Sequence, residues 1–232
     1  MLIAGLQKLT LIDYPGKIAA TIFLAGCDFR CPFCYNRELV LPKEIKKRAT
    51  IPEKEFFKFL KSKQELLEGI VITGGEPCIN KDLPKFVRKI KKLGYPVKID
   101  TNGSNPRMLK DLISKRLIDY VAMDIKGPLG LKNPKYQIQK YKNEIKKSVE
   151  ILKNSGIDFE FRTTVVPTIH EKKDFLEIAK WIGGPNVKYY LQNFRPEKTI
   201  DPKFEKIKPY SEKYLSEIQK AISPFFEVCQ LR

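Results

Sequence analysis

The chain has 232 residues, 42% of them hydrophobic, and carries 44 Lys and Arg against 27 Asp and Glu, a formal net charge of +17. That length suffices for one sizeable core, and the lack of any apolar run of about eighteen residues excludes a membrane-spanning helix. The charge invites a nucleic-acid reading, but the basic residues are scattered through "KEIKKR" (43–48), "RKIKK" (88–92) and "IKK" (145–147). Those stretches are helix-like, where a solvated lysine face is the ordinary explanation, so a nucleic-acid partner is not expected. The opening "MLIAGLQKLTLIDYPGK" has no basic region leading into a long apolar stretch, so it does not read as a signal peptide. A cytoplasmic protein is expected.

Short β-branched runs alternate along the chain with longer helical stretches. The expected strands are 18–26 ("IAATIFLAG"), 69–75 ("GIVITGG"), 97–103 ("VKIDTNG"), 119–127 ("DYVAMDIKG"), 159–167 ("FEFRTTVVP") and 187–194 ("VKYYLQNF"). Between them, periodicity predicts helices over 51–69, 80–94, 105–117, 143–156 and 171–184. The first has Pro52 near its start and Gly69 just past its end. A last helix over 210–223 precedes "PFFEVCQLR", which is suited to an edge strand. Strand–helix units in series imply a parallel sheet with right-handed crossovers. The expected fold is therefore α/β, a partial (β/α)6 barrel with parallel strands, and a doubly wound flat sheet is the alternative. No linker divides the chain, so 1–232 reads as one domain, with a core over about 15–196 and a C-terminal helix and tail over 205–232.

The unusual residues fall at or near the carboxyl ends of these strands, where α/β folds build their sites. "CDFRCPFC" (27–34) follows the first strand and places Cys27, Cys31 and Cys34 in eight positions. A disulfide framework would use an even number of cysteines in a small secreted chain, whereas this chain has five. A structural zinc would want four ligands, yet there is no second CxxC pair and the sole histidine is His170, far downstream. A four-iron cluster normally takes four thiolates; three would leave one iron open to a small molecule, as a catalyst requires. Pro32, Phe33 and Tyr35 would shield such a cluster. Cys78 is a candidate fourth ligand, but it and Cys229 read more simply as small buried hydrophobes. His170 reads as a surface or loop residue, and Trp181 and Tyr189 as core.

CxxxCxxC with an aromatic before the third cysteine, together with "GGEP" (74–77), resembles the signature of the radical S-adenosylmethionine superfamily. The stretch "LIDYPGKIAATIFLAGCDFRCPFCYN", with "TGGEPC", "DTNG", "MDIKGP" and "YLQNFRP", is similar to the activating enzymes of glycyl-radical enzymes. It most resembles the activators of anaerobic ribonucleoside-triphosphate reductase. The likeness runs from Leu11 to about Pro196.

This resemblance implies a [4Fe-4S] cluster on Cys27, Cys31 and Cys34 whose open iron chelates S-adenosylmethionine. Reductive cleavage would then give a 5′-deoxyadenosyl radical that abstracts a glycine Cα hydrogen from a partner glycyl-radical enzyme. A flavodoxin- or ferredoxin-type protein would supply the electron. By the same resemblance Gly74, Gly75 and Glu76 meet the methionine end, with Glu76 accepting from the ammonium or bracing the turn. Lys126 faces the cofactor's carboxylate, Asp124 its ribose, and Phe33 and Tyr35 frame the adenine. Arg162 and Gln192 sit where relatives touch the cofactor, with Asn193 an alternative to Gln192. Asp100, Thr101 and Asp124 match a monovalent-cation site in the activator of pyruvate formate-lyase. The rival readings are a radical enzyme of the 7-carboxy-7-deazaguanine synthase type acting on a small molecule or RNA, and a non-catalytic iron–sulfur or zinc protein.

Overall fold

The computed structural model describes residues 1–131 and 138–232. Among the described residues, eight strands follow one another in chain order through one sheet. They are β1 (Ile3–Thr10), β2 (Ala19–Leu24), β3 (Gly69–Gly74), β4 (Val97–Thr101), β5 (Tyr120–Asp124), β6 (Asp158–Val165), β7 (Gly184–Asn193) and β8 (Phe226–Leu231). The helices are α1 (Arg37–Val40), α2 (Pro42–Ile45), α3 (Glu53–Lys61), α4 (Leu83–Lys91), α5 (Pro106–Ser114), α6 (Lys142–Lys153), α7 (Lys172–Ile182) and α8 (Glu212–Ile222). No helix among the described residues is long and apolar enough to cross a membrane.

All six expected strands form, as β2 to β7, and the tail adds β8 in parallel with β7. β1 is an addition that the pattern of apolar runs does not announce. It pairs antiparallel with β2, and its middle residues Gln7, Lys8 and Leu9 face solvent. The helix expected over 51–69 is cut to α3. Residues 61–66 are all exposed, so a longer helix would have nothing to bury there, and Gly69 opens β3 instead of capping the helix.

The described residues group into two compact units. The first comprises Met1–Asp28, Glu38–Thr101 and Asn105–Val121. Its strands β2 and β3 pair in parallel and are buried almost without interruption, the pattern of a sheet covered on both faces. Ile22, Leu24, Ile70, Ile72 and Ile99 are completely buried, and so are Phe56 and Leu60 of α3 and Leu83 and Ile90 of α4. The rings of Phe56 and Phe86 stack at 5.5 Å, which ties α3 to α4.

The second unit comprises Phe29–Arg37, Asn102–Ser104 and Ala122–Arg232. There β6, β7 and β8 run parallel, with Arg162 beside Tyr190, Thr164 beside Gln192 and Tyr190 beside Gln230. Phe161, Val165, Tyr189, Phe175 and Ile178 form its buried centre. Trp181, expected in the core, is only half-buried, on the flank of α7.

Candidate functional site

In the first unit, the end of β3 is locked to the end of β2. Gly75 N–H donates to Leu24 O and Glu76 N–H to Gly26 O, each at 2.8 Å. Gly74 has φ +118°, a conformation that residues with a Cβ avoid. A Cβ there would lie 2.4 Å from Leu24 O, and at Gly75 it would lie 2.0 Å from Gly26 O and 3.3 Å from the Cβ of Cys27. Both glycines are therefore demanded by the backbone that leads into the first cysteine, whatever else approaches them. Glu76 is wholly buried; its Oε1 accepts from Cys78 N–H at 2.9 Å and from the Thr101 hydroxyl at 2.8 Å. A buried carboxylate needs such partners, and these two bonds tie Glu76 to the turn at Cys78 and to the end of β4.

Cys78 is buried beside it, and Asn105 Nδ2 donates to its carbonyl at 2.8 Å. Desolvation, then the nearby Glu76 charge, pushes its thiol well above the usual range. Asp100 Oδ1 lies 2.5 Å from Nζ of Lys98, a lysine buried over the ring of Tyr120. Asp100 thus already holds one cation belonging to the chain.

In the second unit, the loop carrying Cys31 and Cys34 is pinned at several points. Cys34 N–H closes a turn on Cys31 O at 3.0 Å, Ile200 N–H donates to Cys34 O at 3.1 Å, and Asp201 N–H donates to Pro32 O at 2.9 Å. Phe29 is buried and stacks on Tyr141 at 5.2 Å. Phe33 is buried, whereas Tyr35 is exposed. Burial pushes the Cys31 thiol up to about 12, against the pull of the Lys126 ammonium, and Cys34 is raised for the same reason.

The electrostatic neighbour of these thiols is a cluster at the end of β5. Asp124 Oδ2 accepts from Lys126 Nζ at 3.0 Å and Asp124 Oδ1 from Arg162 Nε at 3.0 Å. Burial alone would raise the Asp124 carboxyl, but Lys126 and then Arg162 outweigh it and hold the group at about 2. Lys126 is shifted upward, since the Asp124 charge and the two cysteine sulfurs outweigh its own desolvation. Asn193 is committed to the fold: its Nδ2 donates to Tyr210 O at 3.0 Å and its Oδ1 accepts from Phe194 N–H. That leaves half-buried Gln192 as the freer of the two amides on β7.

The structure corrects the reading of His170, which is buried and not on the surface. Its Nδ1 accepts from Val166 N–H at 3.1 Å, which leaves the proton on Nε2, 2.9 Å from the carbonyl oxygen of Lys126. A neutral imidazole thus fixes the backbone of Lys126, and nothing in the sequence around His170 signals that role. Burial, partly offset by the Lys126 carbonyl, keeps this histidine below its ordinary pKa of 6.5. Below pH 6.5 the unfolded chain takes up a proton here that the folded chain refuses, so stability falls as pH drops toward the folded value. Down to pH 5.5 the loss from this residue is at most about 1.4 kcal/mol. In urea denaturation at pH 7.5 and 5.5, His170→Gln is expected to show a smaller drop between the two than the parent protein. An equal drop in both proteins would mean that His170 contributes no proton-linked stability.

The donor set fits an iron–sulfur cluster. Desolvated thiols such as Cys31 and Cys34 ionise only with help, and bound iron would supply it as Lys126 does in part. Among the described residues, no three Cys, His, Asp or Glu side chains converge as on a single metal ion; in a cluster each thiolate takes its own iron.

Comparison with known proteins agrees with this chemistry. The profile of the Radical SAM superfamily matches residues 21–182. A protein of Methanocaldococcus jannaschii, to which glycyl-radical enzyme activation is ascribed, is 35% identical over 100% of this chain and 95% of its own. Streptococcus suis SuiB, solved with its precursor peptide SuiA, superposes with a TM-score of 0.65 at 15% identity. That match covers 91% of this chain and 48% of SuiB, so the chain spans about half of that protein's length. Escherichia coli coproporphyrinogen III oxidase, a radical SAM enzyme, superposes with a TM-score of 0.54 at 13% identity, over 92% of this chain and 53% of its own. At such identities the two structures speak for the fold alone.

Proposed function

Because the chain belongs to the Radical SAM superfamily, we propose that it is the activating enzyme of a glycyl-radical enzyme and works as a single domain. Cys27, Cys31 and Cys34 hold a [4Fe-4S] cluster in this reading. When bound, the cluster and S-adenosylmethionine supply one-electron cleavage of a sulfonium C–S bond and a 5′-deoxyadenosyl radical that takes hydrogen from a glycine Cα.

The chain's own residues bind and orient. The observation that carries the reading is the alternating charge beside Cys31 and Cys34: Lys126, Asp124 and Arg162, joined by two bonds of 3.0 Å. An amino acid's ammonium and carboxylate, and a ribose diol, are the groups that such an array recognises. Lys126 offers its ammonium to the carboxylate of S-adenosylmethionine, and Asp124 an acceptor to its ribose hydroxyls. Arg162 holds Asp124 in place, and Gln192 gives an amide contact. Gly74 and Gly75 bring backbone near the methionine end, with Glu76 bracing that turn. Phe33 and Tyr35 border the adenine. A monovalent cation on Asp100, Thr101 and Asp124 would share the two carboxylates with Lys98, Lys126 and Arg162, which already engage them.

The partner proposed is anaerobic ribonucleoside-triphosphate reductase, on the likeness of the motifs. The electron donor is a flavodoxin- or ferredoxin-type protein; a chain of net charge +17 attracts an acidic carrier.

The test is anaerobic. The protein is reconstituted with iron and sulfide, reduced with dithionite and given S-adenosylmethionine, with Cys31→Ala alongside, and 5′-deoxyadenosine is followed by chromatography. Product from the parent and none from the variant is expected, and a glycyl radical signal on addition of the reductase. A cluster that S-adenosylmethionine never perturbs, with no product, would overturn the radical reading. Product without a partner radical would overturn the choice of reductase and favour a small-molecule substrate.

A further inference from the structure

We propose that Arg232 is a positioning residue for Arg162, acting through the buried carboxylate of Glu160; this rests on the reading that Arg162 and Asp124 serve the S-adenosylmethionine site. Glu160 and Arg162 are two apart on β6 and so project to the same face. Glu160 is wholly buried, and a carboxylate there must be matched by cations. Arg232 supplies the match as a fork, with Nη1 2.8 Å from Oε1 and Nη2 3.1 Å from Oε2. The same guanidinium stacks on the Tyr190 ring at 3.4 Å from its centroid, and Arg232 N–H donates to Leu191 O at 2.9 Å. Ring, strand and carboxylate thus fix Arg232 from three sides.

The consequence falls on Arg162. Its Nη1 stands 4.0 Å from Glu160 Oε1, while its Nε bonds Asp124 at 3.0 Å. Glu160 therefore lies between two guanidinium groups, and the fork of Arg232 binds both of its oxygens. A ladder of alternating sign results: Arg232, Glu160, Arg162, Asp124, Lys126. Without Arg232, the buried Glu160 charge loses its fork and pulls harder on Arg162, 4.0 Å away. Drawing that guanidinium toward Glu160 turns it away from Asp124 and alters the charge that Asp124 and Lys126 present.

The ladder makes a prediction that a purely structural role does not. Arg232→Met is expected to raise KM for S-adenosylmethionine on the order of tenfold, with a smaller change in kcat. It should equally weaken equilibrium binding of the unreactive S-adenosylhomocysteine to the reconstituted protein, read by calorimetry. Adding Glu160→Gln removes the charge that pulls on Arg162, so the double variant R232M/E160Q is expected to return both values to within about twofold of the parent. If R232M lowers Tm but leaves KM and binding unchanged, or if the double variant is no better than R232M, the positioning role is wrong. A parent protein that forms no 5′-deoxyadenosine sinks the functional reading and this inference with it; parent turnover with unaltered R232M kinetics sinks this inference alone.

Discussion

At neutral pH, Asp124→Asn is expected to lower the unfolding free energy by about 2–4 kcal/mol and to cut S-adenosylmethionine cleavage on the order of a hundredfold. The lower figure follows from the carboxyl itself, which Lys126 and Arg162 hold at about 2 against an ordinary 3.8. A depressed carboxyl contributes stability that is fully present above pH 3.8 and is lost as pH falls from there through about 2. A shift of that size corresponds to about 2 kcal/mol. The higher figure arises because asparagine also takes the shared carboxylate from two largely buried cations, Lys126 and Arg162, whose side chains are 16% and 12% exposed. Urea denaturation measures both parts. The parent should lose stability steeply between pH 4 and 2, and the variant, weaker at pH 7, should lose less over that interval. A variant as stable as the parent at pH 7, with the same acid limb, would show that this ion cluster contributes nothing net. For catalysis, the role proposed for Asp124 toward the ribose, with its hold on Arg162, predicts a loss seen mainly as a raised KM.

The strands were legible because a covered parallel strand is written as a short run of β-branched, aromatic and other apolar residues, and β2 to β7 all carry one. β1 was not, since an edge strand with three exposed residues in a row lacks that mark. The overlong helix at 51–69 came from counting amphipathic spacing through residues 61–66, which have no face to bury. In the site, side chains were legible one at a time while their pairings were not. Asp124 and Arg162 stand out as charges at strand ends, but their bond spans 38 positions and needs β6 placed beside the end of β5. Arg232 and Glu160 are 72 apart, and His170 reaches back 44 positions to the Lys126 carbonyl. The pair of Lys98 and Asp100 was within reach of the sequence, since residues two apart on a strand share a face. Its burial was not, because a lysine in a strand reads as exposed.

Gly75→Ala is expected to cost about 3 kcal/mol or more, beyond the usual range for one inserted methyl in a packed interior. The reason is what the methyl would strike. At 2.0 Å from the oxygen and 2.6 Å from the carbon of Gly26, it overlaps backbone, which cannot rotate away as a side chain can. Relief requires the Gly26 peptide to move, and that peptide carries the acceptor for Glu76 N–H. Glu76 in turn orders the Cys78 amide and the Thr101 hydroxyl, so the displacement spreads along the turn. It also spreads toward Cys27, the next residue, whose Cβ the new methyl would crowd at 3.3 Å. The variant should therefore unfold at markedly lower urea than the parent and, where folded, take up iron and sulfide poorly. Gly94→Ala is the matched control, because nothing lies within 4 Å of a Cβ at Gly94 and its cost is the strain of φ +89° alone. A Gly75→Ala protein no weaker than Gly94→Ala, and loading iron as the parent does, would mean that the β2–β3 junction yields freely and that contact with the end of β2 is not what requires glycine there.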